Sequence, residues 1–383
     1  MAQIMSKLRV LVLGAGFGGL EVAARLSDSA PDQVDITVID QSDCFVFGYS
    51  KLDVMFGATR ETWRTPYRDL TRPSVTFRQE HIVAIDPVAK TVQTDGGSYS
   101  GDVIVVALGA DLDVAATPGL TDNDEFYSVA GAERFVNRIR DFNSGHAVIA
   151  VASTPYKCPP APAEVALMLH HVLAQRGKRN NTQITIVNPL PSPVPPSPDT
   201  SAALLAAFEE RDITFRGSTR MTEVIGERNV IKLDDGDELG YDLLLAVPRH
   251  KAPDVVSSLS VGNDGWVQVD PYTLETEHPD VFAIGDCADV PVPRAGTFAE
   301  RAGAVVADRI LSKLDNRPVA PYDGHGSCYI DFGGGRVARV DVTFMTADGP
   351  RGGPFNEPSL TIGRQKEESG IARIARWFGA ASL

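Results

Sequence analysis

The chain has 383 residues, too many for a single hydrophobic core, so two or three domains are expected. Its 43% hydrophobic and 22% charged content is that of an ordinary globular protein. A formal charge of −14 excludes the concentrated basic face that nucleic-acid binding requires. No uncharged apolar run reaches the roughly 18 residues that a membrane-spanning helix needs, and the polar start Met1–Arg9 lacks the apolar region of an export signal, so the expected compartment is the cytoplasm. Four cysteines (Cys44, Cys158, Cys287 and Cys328) are too few for a secreted disulfide scaffold. None forms a Cys-x-x-Cys pair, which argues against a metal centre and leaves structural thiols or redox chemistry.

In chain order, Leu8–Leu13 reads as a buried strand, followed by Gly14-Ala15-Gly16-Phe17-Gly18-Gly19 and a helix from Leu20 to Leu26. Gly14 suits the tight turn, Gly16 lets backbone approach a pyrophosphate, and Gly19 permits close helix–strand packing, with the helix N-terminus facing the anion. The next strand, Ile36–Ile39, ends in Asp40, the spacing at which an acid holds a ribose hydroxyl. Strand, glycines, helix, strand and acid in that order predict a dinucleotide site. Val75–Asp95 alternates apolar and polar residues as a small antiparallel piece does, with a turn at Asp95-Gly96-Gly97. Val103–Leu108 then forms a buried strand that delivers Gly109 to its carboxyl end, where ligands of open α/β sheets lie.

A second strand–helix–strand unit follows. Strands His146–Ala152 and Gln183–Asn188 flank a helix over Val165–Arg176. The turn between the first strand and that helix, Thr154-Pro155-Tyr156-Lys157-Cys158-Pro159-Pro160-Ala161-Pro162-Ala163-Glu164, has no glycine where a phosphate loop would have several, and the second strand ends in Asn188 where a ribose-binding acid would stand. A helix over Thr200–Arg211 and strand segments through Leu233 come next, and Asp242–His250 closes the unit. The chain then returns to the first domain with Thr276–Asp286, a strand that delivers Gly285 and Asp286, and with a helix over Gly296–Lys313 whose N-terminus carries a positive dipole. Asp323–Phe332 opens a short tail of alternating strand character that contains Cys328.

The Gly14–Gly19 loop, Asp40, the Val103–Gly109 strand and Thr276–Asp286 together resemble the fingerprints of FAD-dependent flavoproteins with two dinucleotide-binding domains. The turn Cys158-Pro159-Pro160-Ala161-Pro162-x-Glu164 and the later Cys328-Tyr329 look like the sulfide:quinone oxidoreductase and flavocytochrome c sulfide dehydrogenase branch, over roughly residues 7 to 335. The fold class implied is α/β, with two Rossmann-like domains, the FAD domain being discontinuous, and a small C-terminal region. The domains are expected at 1–113 with 263–321 (FAD), 114–262 (a degenerate nucleotide domain carrying Cys158) and 322–383 (carrying Cys328). FAD would be held by Gly14, Gly16, Phe17, Gly18, Gly19, Asp40, Gly109, Gly285, Asp286 and Gly296.

The same resemblance implies a redox pair, Cys158 and Cys328, that sulfide attacks, with Glu164 as proton acceptor, FAD as electron carrier and a membrane quinone as acceptor; a cytochrome c-type acceptor is the variant of the exported members. The position of Cys158 at the mouth of a helix, beside Lys157, is expected to favour its thiolate.

Three departures from the family pattern stand out. No third redox cysteine occurs between Cys44 and Cys158. Gly48 falls where cytochrome-linked members attach FAD covalently, with Cys44 nearby but offset. Only Ile371–Phe378 has the amphipathic character of the longer terminal helices through which quinone-reducing members approach a membrane. Cys287, His170 and His171 read as structural, and His325 as a solvated loop residue within reach of Cys328. The competing functions on the same fold are an NADH:quinone or NADH:disulfide oxidoreductase and a non-catalytic flavin- or polysulfide-binding protein.

Overall fold

A computed structural model describes residues 6–48, 50–57 and 64–379. Near-continuous Val, Ile and Leu runs make strands that can be buried on both faces, which suits parallel sheets covered by helices. The first sheet is of this kind. It contains β1 (Leu8–Leu13), β2 (Val34–Asp40), β5 (Val75–Gln79), β9 (Val103–Val106) and β20 (Val281–Ala283), all parallel, in the order β20-β9-β1-β2-β5. Helices α1 (Phe17–Ser29) and α6 (Gly296–Asp315) pack against each other beside this sheet, so chain segments from both ends of the sequence share one core. A short hairpin pairs β3 (Cys44–Val46) with β4 (Arg64–Pro66), with helix α2 (Ser50–Met55) between them in sequence. The alternation over 75–95 proves to be two things. Val75–Gln79 is the outer parallel strand beside β2, and only β6 (Ile82–Asp86), β7 (Thr91–Thr94) and β8 (Ser98–Ser100) form the antiparallel piece. An edge strand is exposed on alternate residues whichever way its neighbour runs, so the pattern does not report direction.

The second parallel sheet has the order β13-β12-β11-β17, from β11 (Gly145–Val151), β12 (Thr182–Val187), β13 (Ile213–Arg216) and β17 (Leu243–Val247). It is served by α3 (Val129–Asp141), α4 (Ala161–Gln175) and α5 (Pro198–Glu210), with an antiparallel meander of β14 (Met221–Ile225), β15 (Val230–Leu233) and β16 (Glu238–Gly240) beside it. The crossings between the two sheets run through paired strands β10 (Asp111–Asp113) and β18 (Arg249–Lys251), and the return is braced by β19 (Val267–Gln268) against β21 (Ala288–Asp289). The architecture is mixed α/β with two Rossmann-like units.

The C-terminal region is a sheet built on the hairpin β22 (His325–Asp331) and β23 (Val337–Thr343), with the short strands β24 (Arg351–Gly352) and β25 (Asn356–Ser359) against β23. Helix α7 (Leu360–Phe378) closes the chain, capped at its start by Ser359, whose Oγ accepts from the Ile362 N–H at 3.2 Å. The helix is longer than the Ile371–Phe378 stretch suggested, and its apolar end does not wait for a membrane. Trp377 is 0% exposed in the first core and donates through Nε1 to Glu21 Oε2 at 3.0 Å. Among the described residues, no helix is long and apolar enough to cross a membrane.

Candidate active site

One cavity of about 270 Å³ lies where the two sheets and the C-terminal hairpin meet. Its dinucleotide side is built by close backbone packing. Gly14 has φ +100°, and a Cβ there would stand 2.4 Å from the Ala107 carbonyl oxygen; a Cβ on Gly19 would stand 1.9 Å from the Gly14 oxygen. Only glycine lets the first loop press onto β9 and α1 in this way. Gly16, Gly48 and Gly109, by contrast, face open space, so their missing side chains widen the cavity that they line. Asp40, at the end of β2, accepts from the Ala15 N–H and the Ser42 N–H, each at 2.8 Å, and so holds the turn that presents Gly16.

Gly285, Asp286 and Gly296 line the opposite wall. Burial raises the Asp286 carboxyl above its usual range, against the opposing pull of Lys157, Arg294 and Lys51. The N-terminal residues of α1 and α6 both reach the cavity, bringing unpaired N–H groups and the positive ends of two dipoles. An elongated anionic dinucleotide with an apolar ring fits such a cradle.

The second strand–turn–helix supplies the sulfur. Cys158 adopts φ 50°, its N–H donates to the Arg294 carbonyl at 2.7 Å, and its own carbonyl accepts from the Ala161 N–H at 2.9 Å, so the backbone beneath the thiol is pinned on both sides. Cys328 lies mid-strand in β22, opposite Val340. Both are free, partly buried thiols that line the cavity. The expectation of a thiolate at Cys158 is overturned. Burial, then Cys328 and Glu164, push its pKa well above the ordinary thiol value, and burial raises Cys328 to about 12. The helix begins only at Ala161, and its dipole is outweighed by the apolar surroundings. Nor does Lys157 supply the helpful charge: its ammonium donates to the Ala110 carbonyl at 2.9 Å. The cation that lowers the Cys158 pKa is Lys51 of α2, half-buried, donating to the Tyr127 carbonyl and itself pushed down to about 8 by desolvation.

Glu164 stands in the first turn of α4, which begins at Ala161, ahead of the predicted start at Val165, and is 1% exposed. Its Oε1 accepts from the Asp331 N–H at 3.1 Å and lies 3.9 Å from the Lys366 ammonium of α7. Burial raises it to about 8. The carboxyl is thus a base of near-neutral strength that is electrostatically coupled to both thiols.

Side chains bond across the turn of the second unit. Tyr156 is buried, its Oη donates to the Pro159 carbonyl at 3.1 Å and accepts from Asn188 Nδ2 at 3.0 Å, and Asn188 Oδ1 accepts from the Leu190 N–H at 2.9 Å. Asn188 therefore holds the turn together, with no carboxylate for a ribose.

Of the residues singled out from sequence, Cys158, Cys328, Gly16, Phe17, Gly18, Gly109, Gly285, Asp286 and Gly296 line the cavity, while Gly14, Gly19, Asp40 and Glu164 stand behind its wall. Cys44 is paired in the β3–β4 hairpin and is not part of the lining, whereas Gly48 is. Cys287 is buried with its thiol toward the Ile284 carbonyl at 3.4 Å. His325 is exposed, its Nδ1 at 3.0 Å from the Thr343 hydroxyl. Sequence reading missed Lys51, Tyr127 and Arg294. Tyr127 is buried in the cavity wall with an unpartnered hydroxyl. Arg294 lies 3.7 Å over the Trp266 ring and donates to the Asp286 carbonyl at 3.0 Å. The one available signal was at Arg294, a cation in a Pro-rich turn just ahead of a helix that starts with glycine.

The family described as pyridine nucleotide-disulphide oxidoreductase matches residues 8–304. The chain is 27% identical over 372 residues to the mitochondrial sulfide:quinone oxidoreductase of Mus musculus, covering 92% of this chain and 82% of that protein. It is 24% identical over 365 residues to the type II NADH:quinone oxidoreductase of Staphylococcus haemolyticus, covering 87% of each. The solved structure of the sulfide:quinone oxidoreductase from Aquifex aeolicus superposes with a TM-score of 0.84 at 22% identity, over 98% of this chain and 93% of that one.

Proposed function

The chain belongs to the pyridine nucleotide-disulphide oxidoreductase family and is an FAD-dependent oxidoreductase, and from that premise we propose that it oxidises sulfide through Cys158 and Cys328 and delivers the electrons to a quinone. The observation that carries this reading is the pair of thiols on two unconnected elements, Cys158 before α4 and Cys328 in β22, both opening into the same cavity as the dinucleotide cradle. The sulfide:quinone oxidoreductases among the relatives point to the same chemistry.

Gly16, Gly109, Gly285, Asp286 and Gly296 would hold the FAD, which supplies a two-electron acceptor beside the sulfurs. In the oxidised pair, hydrosulfide attacks one cysteine sulfur. A new sulfur–sulfur bond forms, the Cys158–Cys328 bond breaks, and one cysteine leaves as thiolate while the other carries the persulfide. Lys51 stabilises negative charge on Cys158, because it is the cation that favours that thiolate. Glu164, at about 8, stands behind the sulfurs and receives the proton of hydrogen sulfide by way of the cysteine that leaves as thiolate, not by direct contact in the cavity. Per sulfane sulfur transferred to a second sulfide as polysulfide, hydrogen sulfide loses two electrons and two protons, and the quinone takes up both. A quinone is dissolved in lipid, so turnover brings this protein to a membrane surface.

The NADH reading of the same fold meets the Tyr156–Asn188 pair, which occupies the turn where a phosphate would need N–H groups and removes the ribose acid. Anaerobic mixing separates the two. Sulfide is expected to bleach the flavin absorbance within a single turnover, and NADH to leave it unchanged. Rapid bleaching by NADH alone would transfer the assignment to the NADH-dependent class, and no bleaching by either donor would support a non-catalytic flavin protein.

A further inference from the structure

Glu164 sits behind the cysteines. It is 1% exposed and is not among the residues that line the cavity, so a proton taken from the sulfur side does not return directly to bulk water through that opening. On its other side is Lys366 of α7, 6% exposed, with its ammonium 3.9 Å from Glu164 Oε1 and 3.5 Å from Asp53 Oδ1. Asp53 belongs to α2, and its side chain is 35% exposed. Three elements remote in sequence therefore set carboxyl, ammonium and carboxyl in a row that runs from the buried base to the protein surface.

Other groups face the same point. Asp331 of β22 is electrostatically coupled to Glu164, Lys366 and Asp53, and His171 of α4 acts on Asp331. The thiols of Cys158 and Cys328 and the Tyr127 hydroxyl lie on the sulfur side. Lys366 is the cation acting on Glu164, where it opposes burial and the two aspartates.

We propose that Lys366 and Asp53 are the exit through which protons leave Glu164 for solvent, with Lys366 as the positioning residue that keeps Glu164 able to accept them. This rests on the cysteine pair being the sulfide-oxidising site. One transfer moves a proton from Lys366 to Asp53 as Lys366 takes one from Glu164; Asp53 then releases it to water, and no electrons move. Protons are released on the sulfur side, and those that the quinone takes up enter separately from solvent. No net proton is produced, but Glu164 must still discharge its proton before each further turnover, even where the first turnover does not need it to.

The test uses the FAD-loaded protein with sulfide as donor and a water-soluble quinone as acceptor. The pH dependence of steady-state turnover is measured together with that of first-turnover flavin bleaching. Lys366→Met removes the cation that favours the Glu164 carboxylate. Its activity is expected to switch on at higher pH than in the unaltered protein, with steady-state turnover at pH 7 lower by about tenfold or more. Lys366→Arg should return the switch to its original pH, because the cation is restored, and yet leave steady-state turnover reduced, because a guanidinium does not pass on its proton. Asp53→Asn removes a neighbouring negative charge, so it should move the switch to lower pH and yet reduce steady-state turnover more than the first turnover. That combination distinguishes an exit from a simple electrostatic neighbour. Unmoved pH profiles with full turnover in both variants would overturn the proposal. If Lys366→Met fails to retain FAD, the partly exposed Asp53→Asn decides alone. Absence of sulfide bleaching in the unaltered protein would instead contradict the sulfide reading beneath it, a result distinct from unmoved profiles.

Discussion

The backbone N–H of Asp331 donates to Oε1 of Glu164 at 3.1 Å, across 167 residues of sequence. This bond ties the helix that follows Cys158 to the strand that carries Cys328. It explains how a thiol on a Rossmann turn and a thiol on a C-terminal hairpin come to share one cavity wall. It also sets the character of Glu164, whose carboxyl is buried and opposed by the charges of Asp53 and Asp331, with Lys366 and the Asp331 N–H favouring its charged form.

Replacing Glu164 by Gln keeps an oxygen to accept the Asp331 N–H and removes the base. Sulfide-driven turnover is expected to fall by roughly two orders of magnitude, the usual worth of a placed acid–base group. The sign of the stability effect also follows. The carboxyl is raised to about 8 in the folded protein from an ordinary value near 4.5, so its contribution is fully present below the ordinary value and is lost as pH rises through about 8. Denaturant titrations at several pH values should show stability declining across that window in the unaltered protein, and a flatter profile in Glu164→Gln.

Lys51→Met should make Cys158 less acidic still, since Lys51 is the cation that favours its thiolate. The pH at which iodoacetamide alkylates Cys158 in the Cys328→Ser background is expected to move upward on this change. Its own pKa near 8 means that the charge of Lys51 fades just above neutrality, so the unaltered protein should lose this assistance as pH rises past about 8. An alkylation profile that Lys51→Met does not move would remove Lys51 from the account.

Trp377 is fully enclosed among Phe17, Phe45 and Phe47, and its indole N–H satisfies the buried Glu21. Trp377→Ala is expected to destabilise the protein by about 3–5 kcal/mol through the cavity it leaves, while the Glu21 carboxylate keeps its ion pair with Arg376. Equilibrium denaturation measures this directly. A change below about 1 kcal/mol would mean that the helix end is docked less firmly than its burial indicates.

Much of the fold was legible because its signals are local. The Gly14–Gly19 loop, Asp40 and the apolar runs of β1, β2, β9 and β20 each carry their own spacing, and the parallel sheet they form has the expected members. The outer strand Val75–Gln79 was misread because an exposed edge alternates whatever its pairing. At the site, the spacing from Cys158 to Glu164 marked a turn and a helix start. The thiolate expectation failed because it weighed a helix dipole and an adjacent lysine without the enclosing cavity, which only tertiary structure reveals. Lys51, Lys366 and Tyr127 could not be singled out in the sequence, since each is an unremarkable residue that gains its role from elements brought together in three dimensions.

The central claim is that sulfide reaches the flavin only by way of the Cys158 sulfur. Stopped-flow absorbance of the FAD-loaded Cys158→Ser protein, mixed anaerobically with sulfide, tests it most directly. The flavin spectrum should show that FAD is still bound, and the rapid bleaching seen with the unaltered protein should be absent. Retention of that bleaching at the unaltered rate would contradict the account.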